Sequence, residues 1–290
     1  MNPAQASLSW IEPRCHLFVF GHMRSYSSLL CHILGSHPEI DGYCETHIKY
    51  RWYLDLVRLR RRVVKLTGEP LRGRYVLDKV LHDYPLAASI LRSPGARGIV
   101  LLRRPKATVR SIMNMGQRYS DVAWYRDVDA VAHYYEARLN SLVRFANQMR
   151  GRALLLEAEE LLSDMPSVLA KVAGFLELSV PLQSTYRRFA HTGEAGYGDP
   201  SENIVRGAAL TANAGLPDSA ALPDSAALTD GAALTDSATS PSGRALMTGV
   251  ADTAAEEINV PESVVTRLDS VYRACTDVLR HRLEPYRQSA

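Results

Sequence analysis

The stretch HLFVFGHMRSYSSLLCHILGSHPEI, residues 16–40, constrains the fold more than any other part of the chain. Residues 17–20 (LFVF) are a short apolar and aromatic run ended by Gly21, which predicts a buried strand. A polar loop follows, and Ser27-Ser28 open an apolar helical stretch that ends near His37-Pro38. Strand, tight loop and helix start together make an anion site. The first N–H groups of a helix lack intrahelical acceptors, and its dipole favours negative charge. An ordinary strand–loop–helix corner with polar turn residues fits the same pattern.

A nucleoside-triphosphate cradle, G-x-x-x-x-G-K-[ST], needs Gly-Lys-Ser where this chain has Tyr26-Ser27-Ser28. The lysine that reaches the β- and γ-phosphates is absent, and Arg24 stands inside the loop instead. These residues suit one phosphate-like group better than ATP or GTP.

Further along, residues 75–77 (YVL) read as a second buried strand with Asp78-Lys79 at its end, followed by Pro85 and a helical run to Leu91. Residues 98–102 (GIVLL) are a third strand that runs into Arg103-Arg104-Pro105 and a helix from about Lys106. A longer helix is expected from about Asp127 to Met149, with Val131, Tyr135, Leu139 and Leu142 at helical spacing and Gly151 after its end. Residues 153–156 form a fourth strand, and 166–176 another helix. Strands alternating with helices predict a parallel sheet covered on both faces, whose ligands bind at the carboxyl ends of the strands. Arg24, Lys79 and Arg103 follow three separate strands.

Between residues 46 and 65 a loop becomes a helix with a basic end (Arg58, Arg60, Arg61, Arg62, Lys65), which reads as a solvated face or a surface for an acidic partner. From Leu216 the chain repeats LPDSAA-LPDSAA-LTDGAA-LTDSAT, too few turns to bury a core. Residues of about 208–250 are therefore expected to be a disordered insert in a single domain spanning 14–290. The stretch 261–282 resumes helical spacing.

Composition narrows the function. With 290 residues, 46% hydrophobic and 22% charged, the chain can bury a large core, and a net charge of +3 is too mild to argue for nucleic acid. No apolar run reaches membrane-spanning length, and MNPAQASLSWIEPR lacks the charged start and apolar core of a signal peptide. A cytoplasmic location is expected, with Cys15, Cys31, Cys44 and Cys275 as reduced thiols at no metal or redox spacing.

Two motifs then carry a family resemblance. HMRSYSSLL resembles the 5′-phosphosulfate loop, P-[RK]-S-G-[ST]-[ST], of sulfotransferases that use 3′-phosphoadenosine 5′-phosphosulfate. LLRRPKATVRS resembles their 3′-phosphate motif, R-D-P-R-x-x-x-x-S, with Arg103 and Ser111 at the family spacing. VLDKV echoes the D-K-x-P strand end, EAEELLSDMPSVLAKVAGFLEL echoes the Y-E-D-L…F-L-G-L segment, and HPEIDGYCET is most similar to the protein-tyrosine and related bacterial branch. The chain departs from the pattern at Met23, at Tyr26 (for glycine) and at Arg104 (for aspartate). A side chain at Tyr26 is expected to need a negative φ.

The resemblance implies an α/β three-layer sandwich with a central parallel sheet, the P-loop-NTPase-like sulfotransferase fold. It implies a metal-free, in-line transfer of a sulfuryl group to a hydroxyl-bearing acceptor. Arg24 and residues Ser25, Tyr26, Ser27 and Ser28 would hold the 5′-phosphate, and Arg103 and Ser111 the 3′-phosphate. Lys79 would neutralise the leaving oxygen. Glu45 would be the base, with His47 as its rival. If the chain is extended there, the two point to the same side. Glu45 and Lys79 also fit bland roles, as a helix-start carboxylate and a solvated strand-end lysine. The alternatives are a non-catalytic anion- or glycan-binding protein on a degenerate P-loop, or a P-loop-like kinase.

Overall fold

The computed structural model describes residues 14–119, 122–194, 196–199, 202–205 and 258–283; the expected insert at 208–250 lies outside them. Five strands form one sheet: β1 (Cys15–Gly21), β2 (Ile40–Asp41), β3 (Tyr75–Val80), β4 (Ala96–Leu102) and β5 (Ala153–Glu157), in the order β2-β3-β1-β4-β5. Every pairing is parallel.

The helices are α1 (Ser27–Gly35), α2 (Leu54–Thr67), α3 (Ala88–Arg92), α4 (Pro105–Tyr119), α5 (Val128–Met149), α6 (Ala158–Ser163), α7 (Met165–Leu176), α8 (Glu202–Val205) and α9 (Glu262–Leu283). Period-two alternation along β1 explains the three layers. Phe18 and Phe20 face one core with Leu59 and Val63 of α2, Val109 of α4, Leu139 of α5 and Leu268 of α9. Leu17 and Val19 face the other, with Leu30 and Ile33 of α1 and Val172 of α7. A strand buried on both faces has to be apolar throughout, and residues 17–20 are fully buried.

The expected strands and helices are present, with two differences. The helix after Pro85 is shorter than its spacing suggests, because Pro85 O accepts from Tyr50 N–H and Tyr50 O accepts from Ala87 N–H, holding 85–87 out of a helix. Ile40–Asp41, expected as loop, pairs with β3 as a short edge strand.

Topology places the site. The chain leaves β1, winds out to β2 and back to β3 on one side, then crosses to β4 and β5 on the other. The carboxyl end of β1 thus lies between those of β3 and β4, where such sheets open a crevice. No described helix is long and apolar enough to cross a membrane.

Candidate functional site

The loop between β1 and α1 is held by its own polar atoms and by its neighbours. Ser25 donates its hydroxyl to His22 O at 2.8 Å, and Met23 N–H donates to the Tyr134 hydroxyl at 2.9 Å. His22 is wholly buried: Arg103 N–H donates to its Nε2 at 3.0 Å, so Nδ1 carries the hydrogen and donates to Met23 O at 2.9 Å. Burial lowers its pKa to about 4, so the ring is a neutral link between loop and β4 end.

Arg24 and Tyr26 are both left-handed, each with φ 61°. Tyr26 therefore holds a positive φ that is usual for glycine, which corrects the expected negative φ. The strain, on the order of 1–2 kcal/mol, is offset in part because the Arg103 guanidinium stacks 4.7 Å from the Tyr26 ring centroid. That stacking carries the Tyr26 ring onto Arg103.

Helix α1 starts directly after the loop, with no side-chain cap on its first turn. Its first backbone bond runs from Leu30 N–H to Tyr26 O, so the N–H groups of Ser27, Ser28 and Leu29 have no partner within the helix. Beside them Lys79 Nζ donates to Ser28 Oγ at 3.0 Å and pairs with Glu45 Oε1 at 3.2 Å. The Lys79 side chain is 1% exposed and that of Glu45 9%, so this lysine is no solvated strand end.

Glu45 reaches Lys79 because the end of β3 grips the segment that carries it. Lys79 N–H donates to Cys44 O at 3.3 Å, and the Asp78 carboxylate accepts from Thr46 N–H at 2.9 Å and from the Tyr50 hydroxyl. Burial raises the Asp78 pKa to about 6, against the lowering by the Tyr50 and Thr46 donors. Glu45 sits in a loop, not at a helix start, and α2 begins only at Leu54.

His47 takes a different direction. Its φ of 57° breaks the alternation that would have set it beside Glu45, and its exposed ring meets Gly196 O at 2.6 Å and the Tyr84 hydroxyl at 3.3 Å. His82 is nearer the carboxylate, with Nε2 3.8 Å from Glu45 Oε2. Burial raises the phenols of Tyr84, Tyr125 and Tyr134, and the Glu45 charge adds to each shift.

A second cluster lies on the β4 side. Arg24 Nε donates to Ser111 Oγ at 2.9 Å, and its Nη1 pairs with Asp199 Oδ1 at 2.9 Å. Arg103 donates to Arg24 O at 3.1 Å, while Arg103 O accepts from the Tyr135 hydroxyl at 2.7 Å. Arg24 was expected against the same group as Ser28; its left-handed backbone turns the guanidinium to Ser111 and joins it to the Arg103 cluster instead. Arg104 is exposed, its N–H bonded to Glu159, so the departure at that position points out of the cluster.

Sequence reasoning missed Arg138. This α5 residue is 1% exposed and donates to Gly21 O and Val80 O, the carbonyls that end β1 and β3, and to His82 O just beyond β3, and pairs with Asp83 at 2.8 Å. It ties the floor of the site together. The signal was available: 131, 135, 138 and 142 share one helix stripe, and an arginine among Val131, Tyr135 and Leu142 is anomalous there.

Among solved structures, the sulfotransferase domain from the curacin biosynthetic pathway is 17% identical, covering 59% of this chain and 76% of its own, with a TM-score of 0.40. A sulfotransferase from Alicyclobacillus acidocaldarius is 17% identical, covering 62% of this chain and 88% of its own, with a TM-score of 0.45. No protein-family model matches the chain, and no curated protein matches it.

Proposed function

We propose that this chain is a sulfotransferase that moves a sulfuryl group from 3′-phosphoadenosine 5′-phosphosulfate to a hydroxyl-bearing acceptor. The observation that carries the reading is the contact series Glu45–Lys79–Ser28, at 3.2 and 3.0 Å, against the uncapped start of α1. A carboxylate, a buried cation and an anion cradle stand side by side, in the order a metal-free transfer needs them. The donor set suits the two ends of this nucleotide: N–H groups, Ser28 and Lys79 on one side, and Arg103, Arg24 and Ser111 on the other.

When bound, the donor supplies a sulfur that carries a nucleotide phosphate as leaving group. As the acceptor oxygen bonds to sulfur and the bond from sulfur to the bridging oxygen breaks, Glu45 takes the acceptor proton. Lys79 neutralises the charge that grows on the bridging oxygen, and the α1 N–H groups hold the departing phosphate. Positioned charges of this kind do most of the work in group transfer of this type. His47, bound to Gly196 O, acts as a fastener of the neighbouring turn.

The test is transfer of labelled sulfuryl from this donor to a panel of phenolic, alkyl and sugar hydroxyls. Lys79→Ala is expected to lose roughly 10²- to 10³-fold in turnover, and Glu45→Gln about 10²- to 10⁴-fold. His47→Ala stays within about tenfold of wild type, since a surface fastener supplies no proton transfer. Wild-type turnover in Lys79→Ala contradicts the assignment.

A further inference from the structure

The turn 196–199 lies across the anion site. Asp199 N–H donates to Ser28 Oγ at 3.0 Å, and the Asp199 carboxylate pairs with Arg24 at 2.9 Å. Gly198 packs so closely that a Cβ built on it would lie 3.1 Å from Ser28 Oγ and 3.2 Å from Lys79 Nζ. Gly196 O is pinned by His47, and Gly193, Gly196 and Gly198 have φ of 85°, 87° and 151°, a backbone that only glycine adopts without strain. The turn is thus glycine-hinged and fixed at a few polar points.

A carboxylate of the chain itself therefore occupies Arg24, a cation that an incoming anion needs. Ser28 Oγ accepts from both Lys79 and Asp199, which leaves its own O–H to donate to an anion, whereas Arg24 spends one donor on the Asp199 carboxylate. Like charges disfavour one another at one cationic site, so a phosphate and this carboxylate compete for Arg24. The pair is also a poor staple for the fold, with both side chains about a quarter exposed, where ion pairs contribute little to stability.

We propose that Asp199 is an internal competitor for the anion site, and that a bound anion displaces the 196–199 turn from Arg24 and Ser28. The inference rests on reading the 22–28 loop with Arg24 and Ser111 as the anion site, and the probe is chosen so that the donor reading fails separately. Inorganic sulfate and adenosine 3′,5′-bisphosphate are titrated calorimetrically into wild type, Asp199→Asn and Asp199→Ala, with thermal melts to show that all three fold. Amide exchange across 196–199 is followed in wild type as sulfate is added.

Both variants should bind sulfate more tightly, by about two- to fivefold, the scale of a partly exposed ion pair. Exchange at 196–199 should accelerate with sulfate. Unchanged, weaker or undetectable sulfate binding in either variant overturns the proposal, as does slower exchange, which would make Asp199 part of the grip on the bound anion. Bisphosphate binding no tighter than sulfate would contradict the donor reading, and the sulfate comparison would still decide the role of Asp199.

Discussion

Lys79 Nζ lies 3.2 Å from the Glu45 carboxylate in a setting where both side chains are almost entirely shielded from water. Such a pair is held by its partners more than by its own attraction, because removing either member leaves a buried charge without compensation. Lys79→Met is expected to destabilise the fold by about 3–5 kcal/mol. The double variant Glu45→Gln, Lys79→Met should cost less than Lys79→Met alone. Urea unfolding of the two singles and the double measures this. Additive losses would mean that the two side chains do not depend on each other.

Arg138 places a single cation under the carboxyl ends of β1 and β3. Arg138→Met strands the carbonyls of Gly21, Val80 and His82 and the charge of Asp83, and should cost at least about 3 kcal/mol. Arg138→Lys should recover less than half of that, since an ammonium cannot span the same carbonyls as a planar fork. Thermal and urea midpoints of the three proteins give the comparison. A loss below 1 kcal/mol (roughly the worth of one ordinary hydrogen bond) would contradict the tie.

Acid should loosen the fold through its buried histidines. Burial lowers His16, His22 and His32 to about 4 from an ordinary 6.5, so between those values each binds a proton only after unfolding. Unfolding then takes up protons, and stability falls as the pH falls. Asp78 acts the other way: raised to about 6 from 3.8, it binds its proton in the fold first and contributes stability that is lost as the pH rises. Three histidines outweigh one aspartate. A net uptake near two protons gives a loss on the order of 2–3 kcal/mol per pH unit at its steepest, between pH 6 and 4. Urea midpoints at pH 7, 6 and 5 should decline in that order; a flat or rising series would contradict these ring environments.

The α/β fold was legible because its strands are buried on both faces and its helices keep their spacing. Residues 17–20 and 98–102 can be little else than central strands, and the loop after Gly21 announces the helix that follows. Lys79 and Arg103 could be placed at strand ends for the same reason. What pattern could not supply was direction. Arg24 turns to Ser111 because its backbone is left-handed, and His47 leaves Glu45 for Gly196 for the same cause. Asp199 reaches the site from 175 residues away in sequence, and Arg138 from 117 residues beyond Gly21. Such partners share no motif with the loop they hold.

Calorimetric binding of adenosine 3′,5′-bisphosphate, set beside AMP under the same conditions, tests the central claim most directly. A site built from the α1 start on one side and Arg103, Arg24 and Ser111 on the other should prefer the bisphosphate by about tenfold or more, the worth of one charge-assisted phosphate contact. Arg103→Ala should erase that preference while leaving AMP binding little changed. Equal affinity for the two nucleotides, or a preference that survives Arg103→Ala, would contradict the assignment of this site to a 3′-phosphorylated sulfuryl donor.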